Sequence, residues 1–266
     1  MTTLRLITIP ISHYCERARW ALDYVGLEYR EEQHLQLLHW PHAWASSGGK
    51  TVPVLVTSEG VLSESEDMVR YAHDHARNGQ PLYPDDDTLR ERVTELERGF
   101  QDSFGVESRK LIYGHAFRWG RPALDFNAAR APRWERRALH VGFPLVKRFM
   151  RRYLQVNATA EAVAKEHVQR VFDHTAELLS DGRRYLVGHA FSAADLTFAC
   201  MAAAVLCPPE YGIPLPQPED VPEDFARDVT AFRVHPAGSF AMRMFRDHRR
   251  PCAPERLRDA PPASYG

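Results

Sequence analysis

The feature that most constrains the fold of this chain is a change of hydrophobic pattern near residue 80. Before that point, short apolar runs bounded by Pro and Gly alternate with segments of helical periodicity. The predicted strands are 4–9, 28–34, 54–56 and 61–62, and the predicted helices are 13–25 and 65–77. The order strand, helix, strand, then strand, strand, helix predicts a small mixed sheet with helices packed on it.

After a linker that contains Gly79, Pro81 and Pro84, the pattern is almost wholly helical. Helices are predicted at about 87–115, 159–181, 193–206, 222–233 and 236–248. The fold class is therefore α/β followed by all-α, with an N-terminal domain in 1–80 and a helical domain in 87–250. The Pro-rich segment 251–266 is predicted to be an extended tail.

The bulk composition gives no reason to expect a nucleic-acid or membrane partner. The 266 residues are 44% hydrophobic and carry a formal net charge of −1, so any electrostatic attraction must come from local patches. The N-terminus shows neither a signal-peptide core nor a run of the roughly 18 apolar residues that span a bilayer. The four cysteines have no metal-binding spacing and form no disulfide framework. We therefore expect a cytoplasmic protein without a metal.

The segment 117–157 is the most unusual part of the helical half. Between Arg118 and Arg152 it carries ten Lys and Arg residues against Asp125 and Glu135, a local net charge of +8. Its aromatic residues are too numerous for a plain linker. The pattern predicts a helical insertion with a solvated basic face; the alternative is a lid or rim that attracts an anionic ligand.

Ser12 is the first candidate for chemistry. It lies between a predicted strand and a predicted helix, the position of an N-cap, where unpaired backbone N–H groups favour an anion. A thiol has a reference pKa of about 8.5, and lowering it by two units requires roughly 2.7 kcal/mol. One charge-assisted hydrogen bond from a hydroxyl together with a helix N-terminus supplies energy of that order. The alternative is that Ser12 only caps its helix.

The neighbours of Ser12 are weaker candidates. Cys15 lies one turn into the helix, at the second position of a Cys-x-x-Cys pattern whose first position is Ser12, and is predicted to be a buried packing residue. Tyr14 is a secondary candidate for contact with a thiol. His13 is another, although a lone histidine in a loop is expected to be a solvated surface residue.

Two further sites could bind a peptide-like ligand. If the Val52–Pro53 bond is cis, Val52 can pair its backbone with the backbone of a ligand in the manner of an added strand. Ser65 is predicted to begin helix 65–77 and is suited to a carboxylate, while Glu64 beside it can accept from an ammonium group. For Ser65, simple capping of the helix is the alternative.

These segments together resemble the glutathione transferase superfamily. Residues 12–19 (SHYCERAR) resemble the signature Ser-x-(Tyr or Phe)-x-x-(Lys or Arg)-x-Arg of serine-type members, such as bacterial, tau and theta enzymes. Residues 51–55 (TVPVL) resemble the cis-proline motif, and residues 64–71 (ESEDMVRY) resemble the segment that holds the γ-glutamyl group. In the helical half, residues 188–195 (GHAFSAAD) resemble the family's capping box, with Ser192 and Asp195 as its reciprocal pair.

The resemblance implies a thioredoxin-like N-terminal domain, a helical C-terminal domain and glutathione as co-substrate. It assigns Ser12 to the sulfur. It assigns Val52 with Pro53 to the cysteinyl backbone and Glu64 with Ser65 to the γ-glutamyl group. It assigns Lys50 or His39 to the glycyl carboxylate. The last pair substitutes for the usual lysine, which is missing from residues 37–40.

The implied activity is attack of the glutathione thiolate on a hydrophobic electrophile, as in detoxification, by a symmetric homodimer. Tyr113 and Phe117 are candidates for the electrophile pocket. Since cysteine is absent from position 12, the thioltransferase-like classes are disfavoured. Two alternatives stay open: a glutathione-dependent peroxidase or thiol reductase that uses Cys15, and a non-catalytic binding protein whose insertion is its interaction surface.

Overall fold

The computed structural model describes residues 4–128 and 131–249. Its N-terminal part is a four-stranded sheet in the order β2-β1-β3-β4, in which β1 runs parallel to β2 and antiparallel to β3. The elements are β1 (Leu4–Thr8), α1 (His13–Tyr24), β2 (Tyr29–Gln33), α2 (Trp40–Ser47), β3 (Val54–Val56), β4 (Val61–Leu62) and α3 (Ser65–Asp74).

The predicted mixed sheet is confirmed, strand by strand. The helix α2 was not predicted. It buries only Ala43, so it carries no apolar periodicity that the sequence could display. Helix α3 ends at Asp74, three residues before the predicted end.

The second part of the chain is helical, as predicted. Its helices are α4 (Asp87–Gly99), α5 (Gly105–Trp119), α6 (Arg121–Ala128), α7 (Arg133–Tyr153), α8 (Ala158–Leu178), α9 (Ala193–Leu206), α10 (Glu223–Val234) and α11 (Pro236–His248). A π-helical turn at Phe100–Phe104 separates α4 from α5, where the sequence predicted one helix. The basic insertion consists of α6 and α7, and the predicted tail 251–266 lies outside the described residues.

Helix α9 forms the centre of the helical part, since every residue in it except Ala204 is buried. The predicted capping box is present: the Ser192 backbone N–H donates to Asp195 Oδ2 at 2.8 Å. The Leu186 N–H donates to Asp195 Oδ1, also at 2.8 Å. Burial raises the pKa of Asp195 to about 6, although these bonds favour its ionised form. The box thus anchors the start of the central helix.

The two parts share one hydrophobic core. The indole of Trp20 in α1 lies 5.7 Å from the Phe191 ring and 4.5 Å from the Phe245 ring, between centroids. Trp20 is completely buried. Helix α1 packs on α9 and α11 through such contacts. The positions of the sheet and the helical part relative to each other are therefore fixed.

No helix within residues 4–128 and 131–249 is long and apolar enough to cross a membrane.

Candidate functional site

A cleft of about 230 Å³ lies between the N-terminal part and the helical part. The start of α1 and the loop before β3 form one wall. Helix α5, the insertion and the start of α10 form the other. Of the nine residues predicted to hold or activate glutathione, apart from the weak candidate His13, five line this cleft, namely Ser12, Tyr14, His39, Lys50 and Val52. The other four, Cys15, Pro53, Glu64 and Ser65, are not part of its lining.

Ser12 is the N-cap of α1, as the sequence predicts. Its backbone is extended, with φ −70° and ψ 121°, and its Oγ accepts a hydrogen bond of 3.4 Å from the Cys15 N–H. The hydroxyl therefore acts as an acceptor toward the helix. The hydroxyl also hydrogen-bonds the Cys15 side chain, a contact that lowers the pKa of that thiol against the larger effect of burial. Because Ser12 lines the cleft and a hydroxyl group rotates, it can turn its proton toward a ligand there.

Cys15 and Tyr14 are occupied by the protein itself. The Cys15 thiol is completely buried and accepts from the Ile9 N–H at 3.4 Å, and burial raises its pKa. The Tyr14 hydroxyl donates to the Gln101 carbonyl at 3.1 Å, within the π-helical turn, and burial raises its pKa also. Neither group is free to ionise a thiol.

His13 is buried, and the expectation of a solvated surface histidine is wrong. Only 5% of His13 is exposed, and its ring lines the cleft beside Ser12. Burial, together with the nearby Arg109 cation, lowers its pKa to about 3. The Nε2 atom has no hydrogen-bond partner among the described residues. His13 is therefore a neutral imidazole with one unused nitrogen at the cleft.

The Val52–Pro53 peptide bond is cis, and Val52 lines the cleft just before β3. Lys50 lies nearby and is exposed, with its Nζ 5.1 Å from the centroid of the Trp40 ring. In contrast, both ring nitrogens of His39 face backbone carbonyls, those of Leu35 at 3.3 Å and Lys50 at 3.0 Å. Lys50 is thus the group left available for a carboxylate at this end of the cleft.

The start of α3 differs from the predicted arrangement. Glu64, rather than Ser65, is the N-cap residue, and it makes no side-chain capping bond. Ser65 is the first helical residue, is 4% exposed, and its Oγ accepts from Arg17 Nη1 at 3.2 Å. The Ser65 hydroxyl is held by a buried cation, while the Glu64 side chain is exposed to solvent.

Sequence and structural comparisons identify the family of this arrangement. The N-terminal domain of glutathione S-transferases matches residues 6–80, and their C-terminal domain matches residues 143–223. The chain belongs to the glutathione transferase superfamily. The second match begins inside α7, so α5, α6 and the first half of α7 precede it. No curated protein matches the sequence.

Solved structures of superfamily members share the fold. One is the theta-class glutathione S-transferase from Xanthomonas axonopodis pv. citri with glutathione bound, which is 19% identical in sequence and has a TM-score of 0.57. The alignment covers 91% of this chain and 98% of that chain. A glutathione S-transferase from Rhodospirillum rubrum F11 is 18% identical, with a TM-score of 0.56 and 91% of each chain covered. The tau-class enzyme MiGSTU from Mangifera indica is 17% identical, with a TM-score of 0.51 and coverages of 90% and 92%.

Arg109 is a cleft residue that was not predicted from the sequence. In this superfamily member it lies on α5, and its Nε is buried without a hydrogen-bond partner among the described residues. The guanidinium forms no ion pair with any residue in 4–128 or 131–249. The signal was present but ambiguous: Arg109 shares a helix face, at spacings of three, four and seven, with Ile112, Tyr113 and Ala116. One charged residue on an otherwise apolar face is also typical of a solvated edge.

The Lys, Arg, Asp and Glu side chains that line the cleft are all basic. Lys50 and Arg109 are the Lys and Arg residues among its described lining, and that lining contains neither Asp nor Glu. Aromatic side chains form much of the wall opposite Ser12, namely Tyr113, Trp119, Phe126, Tyr153 and Phe225. Tyr113 is thus at the predicted pocket, whereas Phe117 packs with Met150 and Val156 instead. The cleft combines positive charge with aromatic surface.

The insertion is held near the cleft by a buried carboxylate. Glu135 of α7 is fully buried; its Oε2 accepts from the Leu35 N–H at 2.7 Å and its Oε1 lies 2.6 Å from His34 Nδ1. The His42 ring stacks on His34 at 3.6 Å. Potential metal-ligand atoms of these three residues lie within 4.8 Å of one another. In this arrangement, however, the rings are face to face, whereas a bound metal lies in the plane of its imidazole ligand. The cluster serves as a hydrogen-bonded contact between α7 and the segment that follows β2.

Proposed function

We propose that this protein is a glutathione transferase that ionises the thiol of glutathione at Ser12 and directs the thiolate at an aromatic electrophile with an acidic group. The observation that carries the proposal is the position of the Ser12 hydroxyl, which caps α1 and lines a cleft that also contains Val52 and Lys50. The glutathione-bound theta-class structure with the same fold supports the choice of co-substrate.

Each part of glutathione has a chemically suitable partner. Its thiolate accepts from Ser12 at the positive end of α1, and its cysteinyl backbone pairs with Val52. Its glycyl carboxylate pairs with Lys50. Its γ-glutamyl group binds at the start of α3, where Glu64 meets the ammonium group and the backbone N–H groups near Ser65 meet the carboxylate. Four separate contacts orient one sulfur, which lowers the entropic cost of the reaction.

The electrophile occupies the aromatic half of the cleft. Aromatic side chains favour an aromatic ligand by stacking and by burial of apolar surface. Arg109 faces the same space with a buried, unpaired Nε, and no acidic residue of the described lining neutralises it. Arg109 is half-buried, and its Nε is shielded from solvent without a partner among the described residues, so a charge-assisted hydrogen bond favours an anionic substituent there. We therefore infer a carboxylate or a similar acidic group on the electrophile.

The chemical step is a substitution or addition by the thiolate. With an aryl halide, the sulfur attacks the ring carbon, a carbon–sulfur bond forms, and the carbon–halogen bond breaks with its electron pair on the departing halide. The thiol proton passes to solvent. No oxidant or reductant is required. The reductase alternative lacks support because the Cys15 thiol is completely buried and its pKa is raised.

The resemblance to serine-type members also supports a cytoplasmic homodimer that acts in detoxification. The test of the proposal as a whole is binding and turnover. Isothermal titration should detect glutathione binding, and the purified protein should form the thioether of 1-chloro-2,4-dinitrobenzene. Absence of binding at millimolar glutathione would refute the proposal. So would binding without conjugation of any activated aryl halide, which would favour a non-catalytic binding protein.

A further inference from the structure

Helix α7 exposes an apolar stripe that the other described elements leave largely uncovered, apart from a contact between the Phe149 ring and the Trp40 ring of α2. The stripe consists of Trp134, Ala138, Val141, Leu145 and Phe149. Val141 is 85% exposed, Leu145 76%, Trp134 59% and Phe149 43%. At 100° per residue these five positions fall within an arc of about 80°, so they form one continuous face. Single exposed apolar residues are ordinary, but a row of four large ones along one helix marks an interaction surface.

The stripe is distinct from the face with which α7 packs on the protein. The buried residues of α7 are Glu135, Leu139 and Met150, on a different arc of the helix. The apolar face that holds α7 in the fold is therefore already satisfied. The second apolar face on the same helix is largely exposed, and its exposure costs solubility.

Basic side chains lie beside the stripe. Helix α7 carries seven Lys and Arg residues, at positions 133, 136, 137, 147, 148, 151 and 152. None of them forms an ion pair with a residue in the described ranges. The acidic residue of α7, Glu135, is buried and bound by His34 and Leu35. All of the exposed charge on this helix is thus positive, in a chain whose formal net charge is −1.

The charge decides which partner fits the stripe. A second copy of this chain would bring seven further positive charges against the same helix, and like charges at close range repel. A nucleic acid would satisfy the basic residues, but it would leave the stripe exposed or place it against phosphates. An anionic lipid surface satisfies both features, because acyl chains accept the apolar side chains and headgroup phosphates pair with Lys and Arg.

We propose that α7 docks this protein on the surface of an anionic bilayer, with the helix parallel to the membrane plane and the stripe inserted among the headgroups. A helix with a basic face and an apolar face that contains Trp, Phe and Leu is the form that interfacial helices take. The C-terminal end of α7 supplies Met150 and Tyr153 to the cleft. Docking therefore brings the cleft close to lipid, where apolar compounds concentrate.

Vesicle flotation with the full-length protein tests the proposal. Wild-type protein should float with phosphatidylcholine vesicles that contain about 30% phosphatidylglycerol, and not with pure phosphatidylcholine vesicles. Added salt should weaken the binding because it screens the basic residues. The double variant Val141→Asp/Leu145→Asp should lose at least about tenfold in vesicle affinity, since charged side chains enter the lipid poorly.

The matched control is Val234→Asp on α10, where Val234 is 74% exposed outside α7. It should bind vesicles like the wild type. Thermal melting of both variants checks that neither loses its fold. The proposal is overturned if the wild type ignores anionic vesicles, or if the double variant binds them as well as the control. It is also overturned if light scattering, without lipid, shows a dimer that the double variant abolishes, because the stripe would then bind a second copy. Glutathione binding is measured separately, so failure here leaves the proposed activity intact.

Discussion

Arg17 of α1 and Glu97 of α4 form an ion pair in which both side chains are completely buried. The Glu97 carboxylate also accepts from the Tyr83 hydroxyl at 2.7 Å, and the Arg17 guanidinium also donates to Ser65. The pair therefore links the helical part to the start of α3. Because buried charges are tolerated only when they are paired, removing one partner leaves the other uncompensated.

We expect Glu97→Gln to lower the free energy of unfolding by about 3 kcal/mol, since the Arg17 cation stays buried without its carboxylate. Urea denaturation measures the change. The control is Glu95→Gln on the same helix, which removes an exposed contact with Arg92 and should cost under about 1 kcal/mol. Equal effects of the two substitutions would contradict the assigned role of the buried pair.

Ser12→Ala should reduce kcat for conjugation by about 10- to 100-fold, the value of one charge-assisted hydrogen bond to the thiolate. The KM for glutathione should change little, because Val52, Lys50 and the start of α3 bind the rest of the tripeptide. The thiolate absorbance of bound glutathione should fall in parallel. Loss of the N-cap costs roughly 1 kcal/mol of stability, which thermal melting reveals separately. Unchanged kcat in the variant would exclude Ser12 as the sulfur's partner.

Arg109→Gln should discriminate between two electrophiles that differ in one acidic group. With 4-chloro-3,5-dinitrobenzoate, kcat/KM should fall at least about tenfold, because the carboxylate loses a charge-assisted bond. With neutral 1-chloro-2,4-dinitrobenzene, kcat/KM should stay nearly constant. Arg109→Lys should restore part of the preference for the acid.

The control for Arg109 is its neighbour Lys110, which pairs with Glu107 at 2.7 Å and does not line the cleft. Lys110→Gln should leave both electrophiles unaffected. If Arg109→Gln slowed both reactions alike, the arginine would serve the fold or glutathione, and the inferred acidic group would be wrong.

His13 should make the protein sensitive to mild acid. Its pKa is about 3 in the folded protein and about 6.5 in the unfolded chain, so between these values the unfolded chain binds more protons. Stability is therefore complete above pH 6.5 and is lost progressively as the pH falls toward 3. Between about pH 7 and pH 5 this histidine should remove about 2 kcal/mol from the free energy of unfolding.

Urea denaturation of the wild type and His13→Gln at both pH values measures the effect. The variant lacks the titrating imidazole, so its stability should fall by about 2 kcal/mol less over the same interval. Parallel losses in the two proteins would mean that His13 is not the group that titrates.

The sequence was most informative where a local pattern has one structural solution. The strands of the sheet and helix 193–206 were predicted from spacing, and the capping box of Ser192 with Asp195 was predicted from the resemblance of residues 188–195 to the family's motif. Ser12 was predicted as an N-cap because a polar residue between a strand and a helix satisfies unpaired N–H groups. The helix α2 was missed because it buries only Ala43 and so shows no apolar period. The π-helical turn was missed because its buried Phe100 and Phe104 pack on side chains distant in the sequence, such as Phe198.

The residues of the site also fall into two groups, those that could be predicted from local sequence and those that depend on tertiary contacts. The amino-acid sequence by itself determined the family, through four motifs along the chain, and the N-cap position of Ser12, which depends on neighbours within one turn. Only the tertiary structure decided that His13 is buried, that Ser65 is held by Arg17, and that Arg109 faces the cleft unpaired. Burial and charge pairing depend on which distant side chains meet, and helical periodicity shows that a face is polar or apolar without showing what covers it.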